Sequence, residues 1–427
     1  MPTVNRRQLL GRGATALGAG LLGAATLPVR RALAAPAVSG DDLKLLFVFN
    51  YGGWDPTRVL ADELWNGNVD MERDAQTATA GDLSWVSHPD RPSVDSFFQR
   101  YHRRSLIMNG VLVPSVAHEN CLRLMMTGST SSERADWPAI VGYTQADAFA
   151  LPHIVVQGPA FPGYAGSAVT RTGSSGQLEG LLSGEIVDWS DVQTGRPGFT
   201  AEARMDAWLE RRLAAVSETH ASAAMRERAA FYRTAHARGR ELKDLASVLD
   251  WSGGTDLGNQ VDLAIDTLAM GISRCAMLAG SYGWDTHSDN DPTQSSNFES
   301  LFGHLVDLMD KLSATPGQGG GSLADETLLV VMSEMGRTPQ LNANDGKDHW
   351  PYTSVLMCGP RITGDRVVGD FDPYFYGKKV DRATGELSDH GHDLNVEEVG
   401  ATILLAAGID PGDHLTGVQG ISGVIAG

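Results

Sequence analysis

The sequence predicts an α/β protein: a three-layer, doubly wound, mostly parallel sheet in one large domain over residues 41–427. Three observations predict it. Short apolar runs recur along the chain and read as buried strands, helical patterns alternate with them, and polar residues gather where the runs end. In a parallel sheet with both faces covered, strands read as continuous apolar runs, and ligands sit at their carboxyl ends.

The elements follow in order. Residues 1–34 read as a cleaved export signal: Asn5-Arg6-Arg7-Gln8-Leu9-Leu10 is a twin-arginine pattern, residues 14–27 are apolar and rich in Gly and Ala, and Ala32-Leu33-Ala34 is a small-residue cleavage signature. The apolar stretch is shorter than the roughly 20 residues that span a bilayer. The expected product is therefore periplasmic or secreted through the twin-arginine pathway, with no membrane span after signal removal. Residues 43–49 form a first strand that delivers Asp55 on the turn Asn50-Tyr51-Gly52-Gly53-Trp54-Asp55-Pro56. Residues 106–113 form a second strand, and 118–126 a helix with Leu122, Met125 and Met126 on one face. Further strands are expected at 153–157, 276–280, 327–332 and 354–358. Helices are expected at 260–273, 298–312 and 396–407. Residues 201–251, charged and alanine-rich, read as one or two long surface helices that form an insertion or cap.

Composition narrows the function. The formal charge is −18, and loss of a signal carrying five arginines and no acid takes it to −23. Such a surface repels nucleic acid and anionic membranes, so a small or polymeric anionic ester needs a local cation to bind. Apolar residues make up 42% of the chain, enough for a sizeable core. Cys121, Cys275 and Cys358 each lie in an apolar segment and read as core residues rather than a disulfide framework. Nothing in the sequence names a protein partner.

Four polar clusters follow the strands: Asp55; His118-Glu119-Asn120; Asp285-Thr286-His287; and Glu334 with Arg337, Asp348 and His349. Carboxylates and imidazoles drawn from several strand ends are what a site for zinc, manganese, magnesium or calcium needs: anionic oxygens offset the charge and nitrogens fix the geometry. The predicted metal ligands are Asp55, His118, Asp285, His287, Glu334, Asp348 and His349. The predicted catalytic residues are Glu119, Glu334 and Arg337, with a carboxylate as general base and the guanidinium as a bidentate fork for an anionic oxygen. Each has a plainer alternative. Asp55 before Pro56 can cap a turn, His118-Glu119 can simply start a helix, and Arg337 can form a salt bridge to Glu334 or Asp348. Ser388-Asp389-His390-Gly391-His392-Asp393 is a ligand-rich or merely solvated loop. Trp54, Trp284 and Trp350 either wall a pocket or pack in the core.

The motifs Gly52-Gly53-Trp54-Asp55, Gly283-Trp284-Asp285-Thr286-His287, Ser333-Glu334-Met335-Gly336-Arg337-Thr338-Pro339 and Gly346-Lys347-Asp348-His349-Trp350-Pro351 resemble those of an exported bacterial family, domain of unknown function 1501. That family is similar to the alkaline phosphatase and sulfatase superfamily. The resemblance implies an alkaline-phosphatase-like core holding one or two divalent metals. By position it implies that Asp55 is the first-strand metal carboxylate, Asp285 and His287 the next pair, Glu334 a later carboxylate and His349 the downstream histidine. The chain departs from the pattern at Met335, where a ligating histidine would stand, and at Ala117, where related sequences often carry serine before the histidine. Two functions are thus carried forward: a metal-dependent hydrolase of phosphate or sulfate esters using metal-activated water, and a non-catalytic binding or scaffold protein on an inherited fold.

Overall fold

The computed structural model describes residues 43–173, 177–183, 199–218, 222–245, 248–251, 254 and 256–426; the predicted signal at 1–34 lies outside them. Strands form at Lys44–Asn50 (β1), Gln76–Ala80 (β2), Leu83–Ser87 (β3), Ser105–Leu112 (β4), His153–Val155 (β5), Val169–Arg171 (β6), Cys275–Ala279 (β7), Thr327–Ser333 (β8), Gly336–Arg337 (β9), His349–Trp350 (β10), Tyr352–Cys358 (β11) and Arg366–Val368 (β12). Eight of them make the central sheet, in the order β12-β4-β11-β8-β1-β7-β5-β6. All run the same way except β11, which is antiparallel to both β8 and β4.

Both faces of the sheet are covered, which explains the unbroken apolar strands. Every residue of β1 is buried, and so is every residue of β8. Leu45, Phe47 and Phe49 pack in one cluster with the helices His118–Thr127, Trp137–Thr144 and Val396–Ala406. Alternation along the strand turns Leu46 and Val48, equally buried, to the opposite face. A second helical group, Pro92–Tyr101, Leu257–Ala269 and Asn290–Ala314, packs together. The Leu257–Ala269 helix is tied to the sheet by Gln260, whose Oε1 accepts the Ala279 N–H at 2.9 Å. The α/β architecture read from the sequence is the one observed.

Topology places the site. β1, β4, β7 and β8 end on the same side of the sheet, and β11 begins there because it runs backwards. The segments carrying Asp55, His118, Asp285, Glu334 and His349 are therefore delivered to one edge. The block expected to be helical around 201–251 contains the helices Phe199–Glu218 and Ala223–Leu245. No helix among the described residues is long and apolar enough to cross a membrane. All three cysteines are buried and unpaired, as expected.

Candidate metal centre

The loop after β1 is fixed first. Gly52 has φ of +118°, and a Cβ there would lie 2.5 Å from the Asp285 nitrogen, so only glycine lets this loop lie flat on the loop after β7. Its N–H donates to Glu334 Oε1 at 2.7 Å, which joins the third segment. Glu334 is buried, and its other oxygen accepts the Ser333 hydroxyl at 3.0 Å.

Three imidazoles converge above this floor. His118 Nδ1 lies 2.9 Å from Glu334 Oε1, His287 Nδ1 2.8 Å from Asp348 Oδ1, and His349 Nδ1 2.7 Å from the Val116 carbonyl. Each partner is an acceptor, so each Nδ1 carries a hydrogen; in the neutral ring Nε2 is then left with a lone pair, and in the protonated ring it donates. The three Nε2 atoms surround Asp285: those of His349 and His287 lie 3.1 and 3.2 Å from Oδ1, and that of His118 lies 3.5 Å from Oδ2. The Nε2 atoms of His287 and His349 face each other at 3.0 Å. His118 Nε2 is buried without a hydrogen-bond partner.

That arrangement fits a cation. Lone pairs converging on a carboxylate repel one another unless a proton or metal stands among them. Ligand atoms on a tetrahedral ion with bonds of about 2.0–2.1 Å stand about 3.3 Å apart, within the observed spread. Metal-bound histidines characteristically donate the other ring N–H to a carboxylate or carbonyl, which all three do here. Among the described residues, His118, Asp285 and His349 form the group whose ligand atoms all lie within 4.8 Å of one another; His287 is outside that group, although its Nε2 lies near Asp285 and His349. Asp285 is kept ionised: burial pushes its pKa up, but hydrogen bonds and charge from Arg337, with help from His349, bring it down to about 2. The Glu334 hydrogen bond raises the pKa of His118 against the lowering effect of burial.

Several predicted residues take other places. Asp55 is fully buried away from the imidazoles and paired with Lys347 Nζ at 2.9 Å and Arg58 Nε at 3.4 Å. It also accepts from the Thr57 hydroxyl at 2.6 Å and Asn290 Nδ2 at 3.0 Å. Burial alone would raise its pKa, yet Lys347, Arg58 and Thr57 hold it far below the usual carboxylate range. Two side-chain cations already neutralise this carboxylate, so it sits in a structural ion-pair network rather than in the ligand cluster. Lys347 lies within a motif singled out in the sequence, but a lone lysine beside Asp348 and His349 gave no sign of being interior.

Arg337 is also corrected by the structure. It is wholly buried, with Nε donating to Gly53 O at 2.8 Å, Nη1 to Lys347 O at 3.0 Å, and Nη2 to Gly52 O and, at 2.6 Å, to Asp285 Oδ1. The fork expected to hold a substrate anion holds the loops and Asp285 instead. Glu334 is similarly committed, to Gly52, Ser333 and His118. Asp348 orients His287. Glu119 is exposed in the first turn of the His118–Thr127 helix. Trp54 and Trp284 are buried and pack against Phe298, whereas Trp350 is half-buried. His390 is exposed, and His392–Asp393 pairs as a short strand with Lys379–Val380.

A family model described as "Protein of unknown function (DUF1501)" matches residues 105–425. The chain belongs to this family. No curated protein matches DUF1501 residues of this chain or the rest of it. Among solved structures, the lipoteichoic acid synthase LtaP from Listeria monocytogenes is similar at 9% identity, covering 93% of this chain and 82% of that one, with a TM-score of 0.43. A protein in the alkaline phosphatase superfamily from Vibrio parahaemolyticus is similar at 9% identity, covering 89% and 74%, with a TM-score of 0.39. The C-terminal periplasmic domain of EcEptC from Escherichia coli, in complex with Zn, is similar at 10% identity, covering 90% and 92%, with a TM-score of 0.34.

Proposed function

We propose that this chain is an exported, zinc-dependent hydrolase of anionic esters, with His118, Asp285, His287 and His349 as the metal-binding set. The observation that carries this reading is the three Nε2 lone pairs converging on one ionised carboxylate, each imidazole held by an acceptor at Nδ1. Imidazole nitrogens with a single carboxylate favour zinc over magnesium or calcium, which prefer oxygen-rich sites. An ion held there supplies Lewis acidity, polarising a phosphoryl or sulfuryl oxygen and making water more acidic.

The chain's own residues supply the rest. Arg337 keeps Asp285 ionised and aimed, and Glu334 fixes the His118 tautomer. The His118–Thr127 helix begins at Ala117 without a side-chain cap, so N–H groups of its first turn are open to an ester oxygen. Alanine at 117 offers no nucleophile. Glu119, exposed and next to His118 in the chain, is the general base of this proposal, taking a proton from attacking water. The twin-arginine pattern at Arg6 and Arg7 sends the folded protein out of the cytoplasm.

The test is metal content by mass spectrometry on protein purified after native export, alongside chelator-sensitive cleavage of 4-nitrophenyl phosphate and 4-nitrophenyl sulfate. One zinc per chain is expected, lost with activity in His349→Ala. A folded native protein without metal overturns the reading. Retention of an Arg6→Lys/Arg7→Lys variant in the cytoplasm checks the export route.

A further inference from the structure

Beside the metal centre stands an aromatic platform that the centre itself does not use. Tyr51 leaves the end of β1 and Tyr282 the end of β7, neighbouring strands whose next residues build the site: Gly52 holds Glu334, and Asp285 holds the imidazoles. The two rings are stacked, with centroids 4.9 Å apart and planes 10° from parallel. Tyr51 is half-buried and braced edge-on by Phe49 at 5.1 Å. Tyr282 is 63% exposed. Its inner face is covered by Tyr51, so its outer face is a flat apolar surface of fixed orientation, open to solvent a few residues from Asp285.

A rigid aromatic face supplies contact area for a bound ring at little entropic cost. The gap at Gly52 cannot move without disturbing Asp285, so the platform and the metal centre are locked together. Arg171, exposed at the end of β6, places a positive charge within electrostatic range of Tyr51, a local cation on a chain of net charge −18. The high net negative charge disfavours polynucleotides, and the phenol edges of the pair offer hydrogen bonds to hydroxyl groups.

We propose that the Tyr51–Tyr282 pair is a stacking subsite for a sugar ring, which makes the substrate a sugar ester with its anionic group delivered to the metal centre. The assignment of the ester end rests on the hydrolase reading; the ring-binding end does not.

The experiment is calorimetric binding to the purified protein with its metal and, separately, after chelation. The probes are glucose 6-sulfate and glucose 6-phosphate, compared with ethyl sulfate, ethyl phosphate and adenosine 5′-monophosphate. The sugar esters are expected to bind at least about tenfold more tightly than the ethyl esters, a gap that corresponds to about 1.4 kcal/mol. Tyr282→Ala removes the gap, Tyr282→Trp keeps it, and Arg171→Ala weakens the sugar esters. Equal affinity for ethyl and sugar esters, or a preference untouched by Tyr282→Ala, overturns the subsite. Tighter, Tyr282-dependent binding of the nucleotide overturns the sugar assignment in favour of a base. Tyr282-dependent sugar binding with no hydrolysis of any ester counts against the hydrolase reading and leaves the subsite standing.

Discussion

Glu334 touches no open coordination space, yet the arrangement of His118 depends on it. Its Oε1 fixes the imidazole through Nδ1, and the same oxygen is anchored by the Gly52 N–H. Replacing it with glutamine keeps the shape and leaves one oxygen for the Gly52 N–H and the ring, but removes the negative charge behind His118. Glu334→Gln is expected to weaken zinc binding by about 10–100-fold with the fold intact, the usual effect of losing a partner behind a metal-bound histidine. Competition against a fluorescent chelator measures it; unchanged affinity would separate Glu334 from the centre. Asp55 calls for the opposite expectation. Asp55→Asn strands the buried Lys347 and Arg58 charges, and breaking a buried pair costs about 3–5 kcal/mol. The urea midpoint should fall steeply while the zinc stoichiometry of the folded fraction stays at one. A loss of zinc without loss of stability would return Asp55 to the ligand set.

At the scale of elements, the centre exists because loops from four strands are packed tightly at one edge. Gly52→Ala tests that packing: a methyl 2.5 Å from the Asp285 nitrogen must push the two loops apart. The cost to stability is on the order of 1–3 kcal/mol, with zinc affinity reduced because Gly52 also holds Glu334. Near-infinite tolerance in both assays would mean that the loops shift independently. The strands that build this edge were legible in the sequence because each is a continuous apolar run ending in polar residues. Their carboxyl-end clusters pointed to one site, and His118, Asp285, His287 and His349 are brought together. The direction of β11 was not legible from its composition. It follows from the connection: Glu334 to Pro351 contains only the short β9–β10 pair and no crossover helix, so the chain can return only antiparallel. That reversal is what carries His349 back to Glu334. The Trp137–Thr144 helix escaped notice because six of its eight residues, Trp137 to Gly142, are buried and no amphipathic period marks it. β6 and β12, three residues each, are too short to register as runs. The interior placement of Arg337 and Asp55 was not legible for one reason: partners from distant segments, Gly52, Gly53, Lys347 and Arg58, leave no local trace.

For the whole molecule, the pH dependence of stability should differ with and without metal. Asp136 caps the Trp137–Thr144 helix through Ala139 N–H at 2.9 Å and also accepts the Phe161 N–H. It is fully buried, and burial, outweighing those hydrogen bonds, pushes its pKa from 3.8 up to about 7. The folded chain therefore holds a proton that the unfolded chain releases. Its contribution is fully present below about pH 4, declines as pH rises, and is gone once pH passes 7; at about 1.4 kcal/mol per pKa unit the upper bound is about 4 kcal/mol. His118, raised by Glu334, acts in the same direction. Asp285, held at about 2, begins to withdraw its contribution only below pH 4. His153, fully buried and lowered from 6.5 to about 4, acts the other way as pH falls, so the check in metal-free protein is differential: the native chain should gain stability relative to Asp136→Asn from pH 8 to pH 5. In the zinc-loaded protein the imidazoles must stay neutral to bind, so protons compete with the ion and the metal's contribution declines as pH falls. Urea midpoints across pH 5–8, with and without chelator, should therefore diverge as pH rises. Parallel slopes would show that no ion is bound through these histidines, whatever else the cluster holds.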